Sequence, residues 1–92
     1  MSHLTRTKPK LLARVRRLKG QIEAIERSLE AEAPCGEILN LVASVRGAMT
    51  GLTAELFEEH IREHVSNPDK DDDPARAQGA ADLIDAIRTY LK

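Results

Sequence analysis

The sequence predicts an all-α fold, and three features of its 92 residues lead to that class. Hydrophobic residues make up 41% of the chain, yet it has one Phe, one Tyr and no Trp. This aliphatic, aromatic-poor composition suits helices packed on helices better than a sandwich or a barrel. Apolar residues recur at alternating spacings of three and four, the period of a helix face, and no segment carries a strand pattern. We expect a single domain, residues 1–92, with three helices.

The first predicted helix spans about residues 7–30. Thr7 and Pro9 mark its start, because proline is favoured in the first turn of a helix. Its apolar stripe has the heptad-like spacing of a helix that packs against another helix. The stripe consists of Leu11, Val15, Leu18, Ile22, Ile25 and Leu29.

The second predicted helix is long, spanning about residues 34–66, with Pro34 in its first turn, where a missing N–H costs nothing. Its stripe passes Gly47 and Gly51 without a change of phase, which predicts one continuous helix rather than a hairpin. The stripe consists of Cys35, Ile38, Val42, Val45, Met49, Leu52 and Leu56, and continues into His60 and His64. Small residues beside it would let a partner helix approach closely; they are Ala43, Gly47, Ala48 and Gly51.

An acidic loop, NPDKDDDP at residues 67–74, separates this helix from the third. Asp73 followed by Pro74 has the pattern of an N-cap and a first helical residue. The third predicted helix therefore spans about residues 74–91. This helix carries Ala77, Ala80, Ile84, Ile87 and Leu91.

The net charge of −1 conceals a strongly basic first segment. Residues 1–20 carry seven basic side chains and no acid, a charge of +7, against −8 for the remainder. A basic helix face without interleaved aromatic residues favours double-stranded DNA over single strands or RNA. We expect Arg14 and Arg17 to contact base edges as well as phosphates. The predicted DNA-binding residues are Lys10, Arg14, Arg16, Arg17 and Lys19.

The chain has the features of a cytoplasmic protein that is not an enzyme. No apolar run approaches the roughly 20 residues needed to cross a bilayer, and MSHLTRTKPK lacks the apolar core of a secretory signal. The single cysteine, Cys35, cannot form a disulfide within the chain. There is neither a glycine-rich phosphate loop nor a nucleophile with a fixed acid–base partner.

His60 and His64 lie four residues apart, so that they stack on one helix face and can share a metal ion. Such a pair alone is more often solvated than ligating. Cys35 lies on the same stripe but about 37 Å away along a straight helix. An antiparallel pair of these helices would bring the cysteine of one chain to the histidines of the other, giving two identical sites. The apolar stripe and the marginal stability of so short a monomer independently favour this dimer, with a four-helix-bundle core.

His3 is the remaining histidine, and it follows Ser2, whose amine becomes the N-terminus if the initiator Met is removed. The candidate metal ligands are thus His3, Cys35, His60 and His64, with the Ser2 amine as an additional donor. Mixed nitrogen and sulfur donors suit Ni, Co, Zn or Cu(I) and exclude Mg and Ca. Five or six donors favour octahedral Ni(II) or Co(II), whereas four favour tetrahedral Zn(II), and the residues leave this choice open.

Several segments, in order along nearly the whole chain, resemble the CsoR/RcnR/FrmR family of small bacterial transcriptional repressors. They are ARVRRLKGQIEAIERSLE, Cys35 at the start of the second helix, SVRGAMTGLTAEL, EEHIREH and AIRTYLK. The resemblance implies an antiparallel dimer of long helices and the assembly of two dimers into a flat homotetramer. It also implies that an inducer binds between subunits and releases operator DNA.

The branches of that family differ in their inducer. The nickel/cobalt branch opens with MSH and uses an N-terminal His, the helix 2 Cys and two His four apart, which fall here on His3, Cys35, His60 and His64. The formaldehyde branch uses the same Cys with an N-terminal Pro amine and usually lacks the second His, whereas this chain has Ser2 and His64. We expect a repressor that responds to Ni(II) or Co(II). Because VRRLKGQIEAIERSLE looks closer to the formaldehyde branch, a one-carbon adduct between Cys35 and the Ser2 amine is the alternative. The copper branch pairs two Cys with one His and does not fit a single cysteine.

Overall fold

The computed structural model describes residues 7–91, which form three α-helices and contain no strand. These are α1 (Lys8–Glu30), α2 (Cys35–His64) and α3 (Pro74–Tyr90). The all-α class and the three helices are confirmed. The helix ends differ from the expected ones by at most two residues.

A tight turn connects α1 to α2. The N–H of Ala33 donates to the carbonyl of Ser28 at 2.9 Å, and Glu32 adopts a left-handed φ of 54°, which ends α1. Pro34 has an extended ψ of 140° and is the N-cap of α2, so the helix begins at Cys35 rather than at the proline. The turn reverses the chain, and α1 and α2 pack as an antiparallel hairpin.

α2 is the central helix, and it runs without interruption through Gly47 and Gly51, as predicted. Its 30 residues make it about 45 Å long. α1 packs along one side of α2, and α3 runs back along its C-terminal half. No helix in residues 7–91 combines the length and the apolar character needed to span a membrane.

Two small hydrophobic clusters, rather than one core, hold these helices together. The cluster between α1 and α2 contains Leu11, Leu18 and Leu52, with Val45 and Ala48 packed against them. The cluster between α2 and α3 contains Ile61, Ala80 and Ile84, with Ile87 against them. The Cα atoms extend 57 × 28 × 12 Å, so the helices form a single layer. A layer of helices normally requires a second layer to cover its apolar face.

The uncovered face of this layer carries two apolar rows in which residues recur every seven positions. Their side chains are between 38% and 58% exposed. The row on α1 contains Val15, Ile22 and Leu29, and the row on α2 contains Val42, Met49 and Leu56. The hairpin therefore buries only half of each predicted stripe, and the other half forms an exposed patch, which we call the open apolar face.

Asp71 fastens the loop between α2 and α3. Its carboxylate accepts hydrogen bonds from the Ser66 hydroxyl at 2.5 Å and from Nε and Nη2 of Arg76 at 2.7 and 2.8 Å. The backbone N–H of Asp73 also donates to it, and these bonds hold the pKa of Asp71 well below its usual range, with Arg76 the largest cause. Asp73 in turn caps α3 by accepting from the N–H groups of Ala75 and Arg76, as the sequence predicts.

A second polar network ties α3 to α2. Arg88 donates two hydrogen bonds, both of 2.9 Å, to the Glu58 carboxylate. Arg62 donates to the same carboxylate at 3.2 Å and reaches into the loop, where it contacts Asp69 at 3.0 Å. α3 is thereby held on the side of α2 that carries Ile61.

We predict that Asp71→Asn lowers the midpoint of thermal unfolding by several degrees at neutral pH, because the substitution removes the charged acceptor for Ser66 and Arg76. A carboxylate whose pKa is depressed on folding stabilises the protein above its unfolded pKa. That contribution is lost as the pH falls from about 4 towards the lower folded pKa. The difference between the variant and the wild type should therefore shrink below about pH 4.

The measurement is circular dichroism at 222 nm during heating, at equal protein concentrations, over a series of pH values. Asp72→Asn is the matched control, because Asp72 is the exposed neighbour and bonds no other described residue. Equal melting curves for the two variants would show that the Asp71 contacts do not stabilise the loop.

Candidate effector site and nucleic-acid interface

The two helical histidines lie in the last two turns of α2. The ring centroids of His60 and His64 are 4.9 Å apart, with the ring planes inclined by 39°, and both side chains are exposed. His60 follows Leu56 by one turn, so the pair continues the α2 row of the open apolar face. The predicted stacking of the two imidazoles is thus present, at a separation from which both rings can reach one ion.

Cys35 is the first residue of α2, and its thiol is free and exposed. The continuous helix places it about 37 Å from His60. Within residues 7–91 of one protomer, no three His, Cys, Asp or Glu side chains lie close enough to hold a metal ion together. Ser2 and His3 lie outside the described residues. One protomer therefore presents two imidazoles at one end of α2 and one thiol at the other.

A shallow apolar groove follows α2 from Val42 to His60. Its first section includes Val42, Met49 and Thr53, with Leu91 from the end of α3. Its second section begins at Thr53 and reaches Phe57 and His60. A third section lies on the α1 side and is lined by Val15, Ile22 and Met49 among others. The sections are mainly apolar, and neighbouring ones share Thr53 or Met49.

The basic face of α1 divides into two groups of side chains. Arg16, Arg17 and Lys19 are exposed and form no hydrogen bond or ion pair with any other described residue. They are available to phosphate groups. Lys10 and Arg14, in contrast, both contact the carboxylate of Glu55 on α2.

The Glu55 contact was not expected from the sequence. Nζ of Lys10 lies 3.3 Å from Oε1 of Glu55, and Nη1 of Arg14 donates to Oε2. Gly51 leaves room for the Arg14 guanidinium, because a Cβ at this position would lie 2.6 Å from Nη2 of Arg14. The spacing of the basic residues suggested only a face on α1, and the register of α1 against α2 supplies the acidic partner.

The same contact orients the start of α1 relative to the histidines. Lys10 lies against Glu55, and Glu55 precedes His60 by five residues on α2. The N-terminal end of α1 is therefore at the histidine end of α2. The histidine pair and the start of the basic helix α1 therefore lie near the same end of the hairpin.

Known proteins resemble the chain over its full length. The family model for metal-sensitive transcriptional repressors matches residues 7–89. An uncharacterized protein from the bioA 5′ region of Serratia marcescens is 47% identical over 92 residues, which are 100% of both chains. The transcriptional repressor RcnR of Salmonella paratyphi B (strain ATCC BAA-1250 / SPB7) is 32% identical over 92 residues, again 100% of both chains.

A solved structure has the same fold. It is a variant, with a glutamate replaced by histidine, of the formaldehyde-responsive regulator FrmR from Salmonella enterica serovar Typhimurium. It superposes with a TM-score of 0.66 at 40% identity, over 97% of this chain and 99% of the other. The chain therefore belongs to the family of metal-sensitive transcriptional repressors.

Proposed function

We propose that the chain is a repressor that releases operator DNA when a transition metal, most readily Ni(II) or Co(II), binds a Cys/His site between two subunits. The observation that supports this proposal is the position of three candidate ligands at the two ends of one continuous helix. His60 and His64 are stacked at one end of α2, and the exposed thiol of Cys35 is at the other. A second copy that runs antiparallel would bring its Cys35 to the histidine pair of the first copy and its own histidine pair to the Cys35 of the first copy.

The open apolar face supports such a pairing. An antiparallel partner would cover the rows of Val15, Ile22 and Leu29 and of Val42, Met49 and Leu56, which are exposed in one protomer. Two hairpins packed in this way form a four-helix bundle whose heptad spacing allows interdigitation of the rows. A two-fold axis then generates two identical ligand sets, one at each end. Two such dimers would form the flat homotetramer.

The donor chemistry fits a borderline transition metal. Imidazole and thiolate donors suit Ni(II), Co(II) and Zn(II) and do not suit Mg or Ca. In the proposed site His60 and His64 of one subunit meet Cys35 of the other. His3 and the Ser2 amine would raise the number of donors from three to five, which favours Ni(II) or Co(II), whereas Zn(II) suits the set if only four bind. The bound ion would supply a positively charged centre that links ligands from both subunits.

The basic face of α1 supplies the DNA contacts in this proposal. Arg16, Arg17 and Lys19 would bind phosphates or base edges together with Lys10 and Arg14. The start of α1 lies beside the histidine end of α2, and Ser2 and His3 precede this helix in the sequence. For metal to release DNA, it must bind the DNA-free arrangement of α1 more tightly than the DNA-bound one.

Formaldehyde is the second candidate inducer, and two observations favour it. The Cys35 thiol is exposed at the start of α2, and a structural relative at 40% identity is a formaldehyde-responsive regulator. The carbonyl carbon would bond to both the Cys35 sulfur and the Ser2 nitrogen, and its oxygen would leave as one water molecule. Intact mass under denaturing conditions distinguishes this reaction from metal binding, because each bridge would join Cys35 of one chain to Ser2 of the other and add the mass of one carbon atom to the linked pair.

The first prediction concerns which chains supply the ligands. A Cys35→Ala protein and a His60→Ala/His64→Ala protein should each bind Co(II) weakly as separate homodimers. Mixed dimers of the two should regain one complete site, because the intact cysteine of one chain meets the intact histidines of the other. The measurement is the near-ultraviolet thiolate-to-Co(II) absorption after the proteins are unfolded, mixed and refolded together. Loss of the band in the mixture as well would rule out a site shared between subunits.

The second prediction concerns the metal response. His64→Leu should raise the Ni(II) or Co(II) concentration needed for DNA release by at least about tenfold, since one imidazole donor is lost. The response to formaldehyde should persist in this variant, because His64 takes no part in a bridge between Cys35 and the Ser2 amine. Anaerobic titrations followed by the fluorescence anisotropy of labelled operator DNA measure both. Unchanged release by every metal in His64→Leu would contradict the nickel/cobalt assignment.

The third prediction concerns the dimer. Met49→Glu should shift the wild-type oligomer towards monomer, because it places a charge in the middle of the open apolar face, which would be buried on pairing. Ala75→Glu is the matched control, since Ala75 is exposed in the first turn of α3, where an acid is favourable. Sedimentation equilibrium measures the association of both. Equal association of Met49→Glu and the wild type would exclude this face as the interface.

A further inference from the structure

A single carboxylate forms ion pairs with two of the basic side chains that the proposed DNA-binding face would use. Glu55 lies on α2 and contacts both Lys10 and Arg14 of α1, which are four residues apart on one side of that helix. The Glu55 side chain is 19% exposed, whereas that of Lys10 is 72% exposed. The acid is thus embedded between the helices, and the cations extend from it towards solvent.

Gly51 leaves space for the observed position of the Arg14 side chain. The Arg14 guanidinium lies over Gly51, at the place where any other residue would project its Cβ. No described atom outside the helix backbone lies within 4 Å of such a Cβ at Gly20, Gly36, Gly47 or Gly79. Among these glycines, only Gly51 lies against another side chain, the Arg14 guanidinium. It is one helical turn before Glu55, whose carboxylate binds Arg14.

We propose that Glu55 is an internal competitor of DNA phosphate, and that Gly51 and Glu55 are positioning residues that set the affinity of the basic face. This inference rests on the proposed DNA-binding function of α1. Without DNA, Lys10 and Arg14 are held by Glu55. On binding, phosphate oxygens must replace a carboxylate already in contact with both cations, and the net gain from these two residues is reduced accordingly.

Electrostatics determines the direction of the effect. An isolated cation on the face would contribute its whole interaction with phosphate, whereas a paired one contributes only the difference between two similar anionic partners. Removal of the charge on Glu55 should therefore strengthen DNA binding, although the substitution lies on a helix other than the one that contacts DNA.

The test compares the DNA affinity of Glu55→Gln with that of the wild type, using the full chain and a fluorescein-labelled mixed-sequence duplex. The phosphate-driven part of binding is independent of sequence, so this probe reports it directly. Glu55→Gln should bind about fivefold more tightly, the size expected for the loss of two partly exposed ion pairs. The ratio of affinities should fall as the salt concentration rises, because salt screens the competing pairs as well.

The charge-matched control is Asp85→Asn. Asp85 is an exposed acid on α3 that bonds no other described residue, and its substitution changes the net charge by the same amount. Its affinity should stay within about twofold of the wild type. An equal gain in Asp85→Asn and Glu55→Gln would reveal a general effect of net charge and overturn the proposal.

A second variant would weaken the contact between Arg14 and Glu55 sterically, without removing the carboxylate. Gly51→Ala should push the Arg14 guanidinium away from Glu55 and raise the DNA affinity by a smaller factor. Gly79→Ala is its control, because the added methyl group meets open space on α3. In a Lys10→Ala/Arg14→Ala background, Glu55→Gln should leave the affinity unchanged within about twofold.

The outcomes separate this inference from the proposed function. If the wild type binds no duplex at any salt concentration, the DNA-binding function itself is wrong and the inference goes with it. If the wild type binds in a salt-dependent manner but Glu55→Gln and Gly51→Ala bind equally or more weakly, only the competition is refuted. A gain in Glu55→Gln that persists in the Lys10→Ala/Arg14→Ala background would refute it as well.

Discussion

The unbroken helix α2 is the constraint on which the rest of the molecule depends. Its 30 residues separate the thiol of Cys35 from the imidazoles of His60 and His64 by most of the length of the protomer. A break at Gly47 or Gly51 would have allowed the two ends to meet within one chain. Because the helix continues, the ligand set that we propose can be completed only by a second chain, and the effector site becomes a property of the assembly.

The same helix explains why one protomer is an incomplete structural unit. α1 and α3 each bury a small cluster against it, but all three helices lie in a layer 12 Å thick at the level of the Cα atoms. The two apolar rows on α1 and α2, whose residues are spaced by seven positions, remain about half exposed. They border the groove that ends at His60. Under the proposed pairing, formation of the dimer would both bury the open apolar face and bring the proposed metal ligands together.

The hairpin also redistributes the charge that is segregated along the chain. All seven charged side chains of residues 1–20 are basic, yet Glu55 on α2 contacts two of them, and Gly51 leaves space for the Arg14 guanidinium. The basic face is therefore divided into exposed cations at Arg16, Arg17 and Lys19 and cations that already have an anionic partner. A count of charges along α1 overstates what is available to phosphate.

The sequence by itself determined the features that depend on neighbours within a few turns of one helix. These include the three helices, the continuity of α2, the Asp73 cap and the stacking of His60 on His64, since each follows from periodicity or spacing along the chain. Ser2, His3, Cys35, His60 and His64 all remain predicted ligands. Only the tertiary structure decided which half of each apolar stripe is buried, and that Lys10 and Arg14 meet Glu55. Contacts between helices depend on the register and rotation of one helix against another. The periodicity of the sequence cannot select among them, because the same period is compatible with several registers and rotations.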